Sequence, residues 1–175
     1  VTQLSASGKG YAREKRRAWN NLVSEVYSLP RVTAAAKLMP SLGIAPGFAL
    51  DLTTEDVDGR AWDFNHADMR ARARAKVKNQ RPMFIIGSPM CRSFSSWQAL
   101  NSVIHPRDPS TMVREKARAV MHMNFMAELY QVQLDEDRFF VHGHPAGATS
   151  WSLPSIEKLL GQKGVQRVTG DQCQY

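Results

Sequence analysis

The chain has 175 residues, 43% of them hydrophobic and 22% charged, the balance of a globular domain with a core of its own. No stretch approaches the roughly 18 apolar residues of a membrane-spanning helix, so no membrane partner is expected. Lysine and arginine number 23 against 16 acidic residues, a formal charge of +7 that favours a polyanionic partner. The two cysteines, Cys91 and Cys173, are too few for a disulfide framework and fit a reducing intracellular setting.

In chain order, residues 1–18 read as a basic tail or linker carrying "KGYAREKRR" at 9–17, and residues 19–175 read as one domain. "LVSEVY" (22–27) is an expected strand, followed past Pro30 by an expected helix, "RVTAAAKLM" (31–39). "FALDL" (48–52) is a second strand, and "HADMRARARAKVKN" (66–79) a helix with Asn65 as its potential cap. On that helix Met69, Ala73 and Val77 form an apolar stripe, with Arg70, Arg74, Lys78 and Arg81 along one side and Arg72 and Lys76 roughly opposite. The basic row reads either as a solvated face or as a set of phosphate contacts.

"MFIIG" (83–87) is a third strand that stops at Ser88-Pro89, with Cys91 just past its end. The longest helix is expected over about 110 to 134, with Ser110 and Thr111 at its start. "RFFVH" (138–142) is a fourth strand, "LPSIEKLLG" (153–161) a short helix ended by Gly161, and "VQRVT" (165–169) a fifth strand. Strands alternating with helices argue an α/β fold with a doubly wound, mainly parallel sheet. The chain begins at Val1 and stops at Tyr175 soon after the last expected strand, which fits a segment of a longer polypeptide, truncated at its C-terminus.

In such a sheet, ligands bind beyond the carboxyl ends of the strands. Tyr27 and Ser28, Asp51, the run from Ser88 to Cys91, and the run from His142 to Pro145 all follow strands and belong to that edge. Asp51 is placed either to hold ribose hydroxyls or to cap its own turn with Thr53 and Thr54. Cys91 reads either as a nucleophile or as a small packed residue, and His142 and His144 either as proton donors or as turn residues before Pro145. No Cys-x-x-Cys or helical histidine pair is present, so no metal is expected.

"GSPMCRSFS" (87–95) resembles the nucleophile motif of cytosine-5 DNA methyltransferases, Gly-x-Pro-Pro-Cys-Gln-x-Phe-Ser, matching at Gly87, Pro89, Cys91, Phe94 and Ser95 and departing at Met90 and Arg92. "ALDL", "WDFN" (62–65) and "RFFVHGHPAGATSW" (138–151) are similar to that family's later motifs in the same order. From about Glu25 to Tyr175 the chain also resembles a methyltransferase-like segment of retrotransposon-type polyproteins. The resemblance implies a Rossmann-like methyltransferase fold, S-adenosylmethionine as cofactor, DNA as partner, and an intracellular, nuclear setting. It assigns Cys91 as nucleophile with Pro89 stiffening its loop, and Tyr27, Ser28, Asp51, Asp63 and Gly87 to the cofactor. Arg92 goes near the base or a phosphate, beside the candidate phosphate contacts Arg70, Arg74 and Lys78.

The chemistry requires a thiolate to add to carbon 6 of cytosine, so that carbon 5 attacks a methyl sulfonium, while an acid supports ring nitrogen 3. Gly143 stands where the resemblance expects glutamate, which leaves His142 or His144 as substitute acids. "YSLPRVT" replaces the glycine-rich cofactor turn. The resemblance thus implies first an S-adenosylmethionine-dependent methyltransferase acting on DNA cytosine through Cys91. The two departures and the basic segments favour the alternative, a catalytically degenerate nucleic-acid-binding module of a mobile-element polyprotein.

Overall fold

The computed structural model describes residues 21–95, 97–104 and 107–171, so the basic segment at 9–17 and Cys173 lie outside the described residues. Four strands, β1 (Leu22–Val26), β2 (Ala45–Leu50), β3 (Phe84–Gly87) and β4 (Phe139–His142), form an all-parallel sheet in the order β2-β1-β3-β4. The helices are α1 (Val32–Leu38), α2 (Ala67–Gln80), α3 (Trp97–Ile104), α4 (Pro109–Asp135) and α5 (Pro154–Leu160). From β1 the chain steps one way to β2 and the other way to β3 and β4. Right-handed crossovers therefore put α1 on one face and α2 and α4 on the other, which is the doubly wound α/β architecture.

The core lies on the α2 and α4 side. The expected stripe Met69, Ala73 and Val77 is fully buried there, against Val26, Ile85, Met123, Met126 and Tyr130. Each of the larger side chains contributes about 1.5–3 kcal/mol on burial. Gly87 faces α4, and a β-carbon on it would collide with Tyr130 Oη and Met126 Sδ, so the missing side chain sets how closely helix and sheet approach. Pro46 lies in β2, an edge strand, where a missing N–H donor is tolerated.

Two expectations need correction. The stretch 165–169 forms no strand. Val165, Gln166, Arg167 and Val168 instead line a cavity of about 370 Å³ along the outer edge of β4. Arg167 draws this stretch toward the β4 loop by stacking on Trp151, 4.2 Å from the ring centroid, and by donating to the Ala146 carbonyl. Ser110 and Thr111 do open the long helix, and Asp108 just ahead of them caps it through a carboxylate that accepts from Thr111 N at 2.8 Å. Asn65 does not cap α2, because its side chain is turned to Asp63 and His122.

Candidate functional site

Leu50, Val26, Gly87 and His142 sit side by side in one row across the sheet. The next residue of each strand therefore opens the same crest: Asp51, Tyr27, Ser88 and Gly143. Chain order reverses between β1 and β3, the place where this architecture holds its ligands.

The turn after β1 is occupied by the protein's own groups. Glu25 is 1% exposed, and its carboxylate accepts from Thr33 N at 2.8 Å, Thr33 Oγ1 at 2.7 Å, Ser28 Oγ at 3.1 Å and Arg31 N at 3.3 Å. Burial pushes this carboxyl up, but the hydrogen bonds from Thr33, Val32 and Ser28 outweigh it and hold its pKa below the ordinary value. The amides at the start of α1 thus already have an anion. Tyr27 makes the turn with φ +58°, a conformation uncommon for a side chain of this size. Its ring packs on Phe64 at 4.8 Å between centroids, so it points into the core.

A hydrogen-bond relay fixes Tyr27. Asn65 Oδ1 can only accept, so His122 Nε2–H donates to it at 3.1 Å; His122 Nδ1 then accepts from the Tyr27 hydroxyl at 2.7 Å. Asn65 Nδ2 in turn donates to Asp63 Oδ1 at 2.7 Å. Burial holds the Tyr27 hydroxyl far above its usual pKa and, with Arg70 nearby, His122 below its own. Asp63 is thereby engaged. Asp51 accepts from Thr53 N at 3.1 Å and Thr53 Oγ1 at 2.9 Å, which is the turn-capping arrangement. The relay passes through His122, which no motif singles out in the sequence.

The loop after β3 carries Pro89 buried, Met90 63% exposed and Cys91 as a partly exposed free thiol. Cys91 also begins a tight helical turn, Arg92–Phe94, in which Phe94 N donates to the Cys91 carbonyl at 2.9 Å. Phe94 is 1% exposed and anchors the turn. Lys116 of α4 lies 4.0 Å above its ring and donates to the Ser93 carbonyl at 3.1 Å, while Thr149 Oγ1 donates to the Phe94 carbonyl at 3.3 Å. The Cys91 loop is thus bound to the loop that follows β4. Since adjacent strands lie about 4.8 Å apart, Cys91 is a neighbour of the β4 loop, whereas Asp51 belongs to a strand about 10 Å further across.

The rings of His142 and His144 stack with centroids 5.2 Å apart, and Trp151 lies edge-on to both. His142 Nδ1 shares a hydrogen bond with Tyr130 Oη at 3.1 Å. His142 Nε2, both nitrogens of His144 and Ser150 Oγ are buried with no partner among the described residues. Burial, reinforced by the neighbouring His144, lowers the His142 pKa to about 4, and burial lowers that of His144 as well. Neither ring is an imidazolium at neutral pH. Gly143 N donates to the Gly87 carbonyl at 2.9 Å, and a β-carbon there would stand 3.0 Å from Ser88 Oγ, aimed at the Cys91 loop.

Two of the four members of the basic row of α2 are neutralised, as is Arg72 opposite it. Arg74 makes two hydrogen bonds to Glu128 at 2.5 and 2.8 Å, Arg72 binds Asp56 and Asp58, and Arg81 pairs with Glu136 at 2.7 Å. Arg70 donates to the Phe64 and Asn65 carbonyls, which leaves its charge uncompensated by a direct ion pair among the described residues, and Lys78 is exposed. No protein-family model matches this chain, and neither a curated protein nor a solved structure does.

Proposed function

We propose that this domain is a methyltransferase-like fold that does not transfer methyl groups and serves as a nucleic-acid-binding module of a mobile-element polyprotein. One observation carries the reading: the Glu25 carboxylate occupies the amides at the turn after β1. That turn and the following helix start are where the fold class receives a ligand's anionic group. The carboxylate of S-adenosylmethionine would have to displace a buried, fully bonded one, and Tyr27, Asp51 and Asp63 are likewise engaged by their own neighbours. These residues do not fit the cofactor. The desolvated His142 and His144 also fail as substitutes for the acid missing at Gly143, a loss worth about 10²–10⁴-fold in rate.

Titration of S-adenosylmethionine into the full chain is expected to give neither heat nor a melting shift, and a labelled-methyl assay on duplex DNA no product above background. A saturable heat together with methylated cytosine overturns the proposal. A second reading, an enzyme impaired only at its acid, draws on the partly exposed Cys91 and on the direction of the missing Gly143 side chain. Under it, Gly143→Glu produces methylation and Cys91→Ser removes it. With the cofactor turn filled, we expect Gly143→Glu to stay silent.

A further inference from the structure

We infer that the phosphate backbone of a nucleic acid runs over a stripe formed by Arg92, Arg107, Arg118 and Arg70, along one side of α4 and past the Cys91 loop. The inference rests on the nucleic-acid reading and gives it a place on the molecule that shares only Arg70 with the α2 row that the sequence favours.

Hydrogen bonds and helical spacing together trace the stripe. Arg107 grips Glu115 through two bonds of 3.0 and 2.7 Å. Glu115, Arg118 and His122 follow one another at helical spacings of three and four, so they share one side of α4. His122 is bonded to Asn65 Oδ1, and Arg70 to the Asn65 carbonyl at 3.1 Å, which brings Arg70 to the far end. Arg92 joins from the Cys91 loop, because Lys116 binds the carbonyl of the adjacent Ser93. The charges sense one another: Glu115 feels Arg107, Arg92 and Arg118, and His122 feels Arg70, Asp63 and Arg118.

Four guanidiniums therefore face two carboxylates, Glu115 and Asp63, and the surplus is positive. Arg92 and Arg118 are exposed and have no carboxylate bonded to them among the described residues, in contrast to Arg72, Arg74 and Arg81. From Glu115 to His122 the helix advances about 10 Å, roughly three phosphate steps at the 3.4 Å axial spacing of one strand. Arginine suits the task, since its planar fork binds two phosphate oxygens at once. A backbone on this stripe brings its bases toward the crest where Cys91 and Gly143 stand.

The test is fluorescence anisotropy of short labelled duplexes, DNA and RNA in parallel, titrated with the full chain over a range of salt concentrations. Removing one arginine–phosphate pair reduces the slope of log affinity against log salt by about 0.9. The double variant Arg92→Gln/Arg118→Gln is expected to flatten that slope by about 2 and to weaken binding by tenfold or more. Lys158→Gln/Lys163→Gln, with an unchanged circular dichroism spectrum in both variants, should change affinity less than twofold. Should Arg74→Gln/Lys78→Gln carry the loss instead, or should the Arg92/Arg118 variant bind like the unmodified chain, the stripe is wrong while nucleic-acid binding stands. If the unmodified chain binds neither duplex at low salt, the functional reading itself falls. Tighter binding of RNA or of DNA identifies which backbone the stripe serves.

Discussion

A histidine whose ring nitrogens are buried, one of them bare, resists protonation, and the fold must exclude that proton whenever the pH falls. For His142 the folded pKa is about 4 against an ordinary 6.5. Between those values the unfolded chain binds a proton that the folded chain does not, so stability is complete above pH 6.5 and declines as the pH drops toward 4. From pH 7 to pH 5 the expected loss is on the order of 2 kcal/mol from this residue. Burial acts with the same sign on His122 and His144. Urea midpoints at the two pH values measure the loss, and His142→Gln should flatten it; an equally steep loss in that variant would assign the effect elsewhere. The sequence revealed that His142 ends a strand, but not that it is dry, since its cover comes from Trp151, Tyr130 and His144 through tertiary packing. The relay through His122 was equally hidden, because nothing local links Tyr27 to a residue 95 positions away.

Among the elements, those with strong periodicity were legible. The Met69, Ala73 and Val77 stripe located α2 and its buried face from spacing alone. What spacing could not disclose was the fate of the charges around it, for Glu128 belongs to α4 and meets Arg74 only in the folded chain. The expected strand at 165–169 failed for a related reason. Valines at 165 and 168 suit a strand, but Arg167 stacks on Trp151 and holds the stretch off β4. Gly87, which the resemblance assigns to the cofactor, also couples β3 to α4, where an added β-carbon would meet Tyr130 and Met126. Gly87→Ala should therefore cost about 1–3 kcal/mol through overpacking. Gly143→Ala, opposed only by the rotatable Ser88 hydroxyl at 3.0 Å, should cost much less. Chemical denaturation of the two variants makes the comparison, and equal losses would remove Gly87 from its role as spacer.

Across the whole molecule the two faces of the sheet are unequal. Tyr130 stacks on Phe140 from the α4 side at 4.2 Å, so Phe139 and Val141 point the other way, where α1 packs on β1 and β2. They are 59% and 46% exposed, and Phe139 continues a row through Phe84 and Val23. An apolar sheet face of this kind favours self-association. Light scattering is expected to rise with protein concentration and to fall in Phe139→Lys/Val141→Thr at unchanged thermal stability. A chain that stays monomeric throughout would show that the face is harmless.

The bonds running from Tyr27 through His122 and Asn65 to Asp63 join the end of β1, the approach to α2 and the middle of α4. Three stretches that are remote in the chain are riveted at one point, directly beneath the crest. Loss of the central His122 takes from the part-buried Tyr27 hydroxyl its acceptor and from Asn65 Oδ1 its donor, so the crest is tied to the core through this one ring. A ligand held at the crest would therefore slow hydrogen exchange not only in the loops it touches but along the central strands and α4 together.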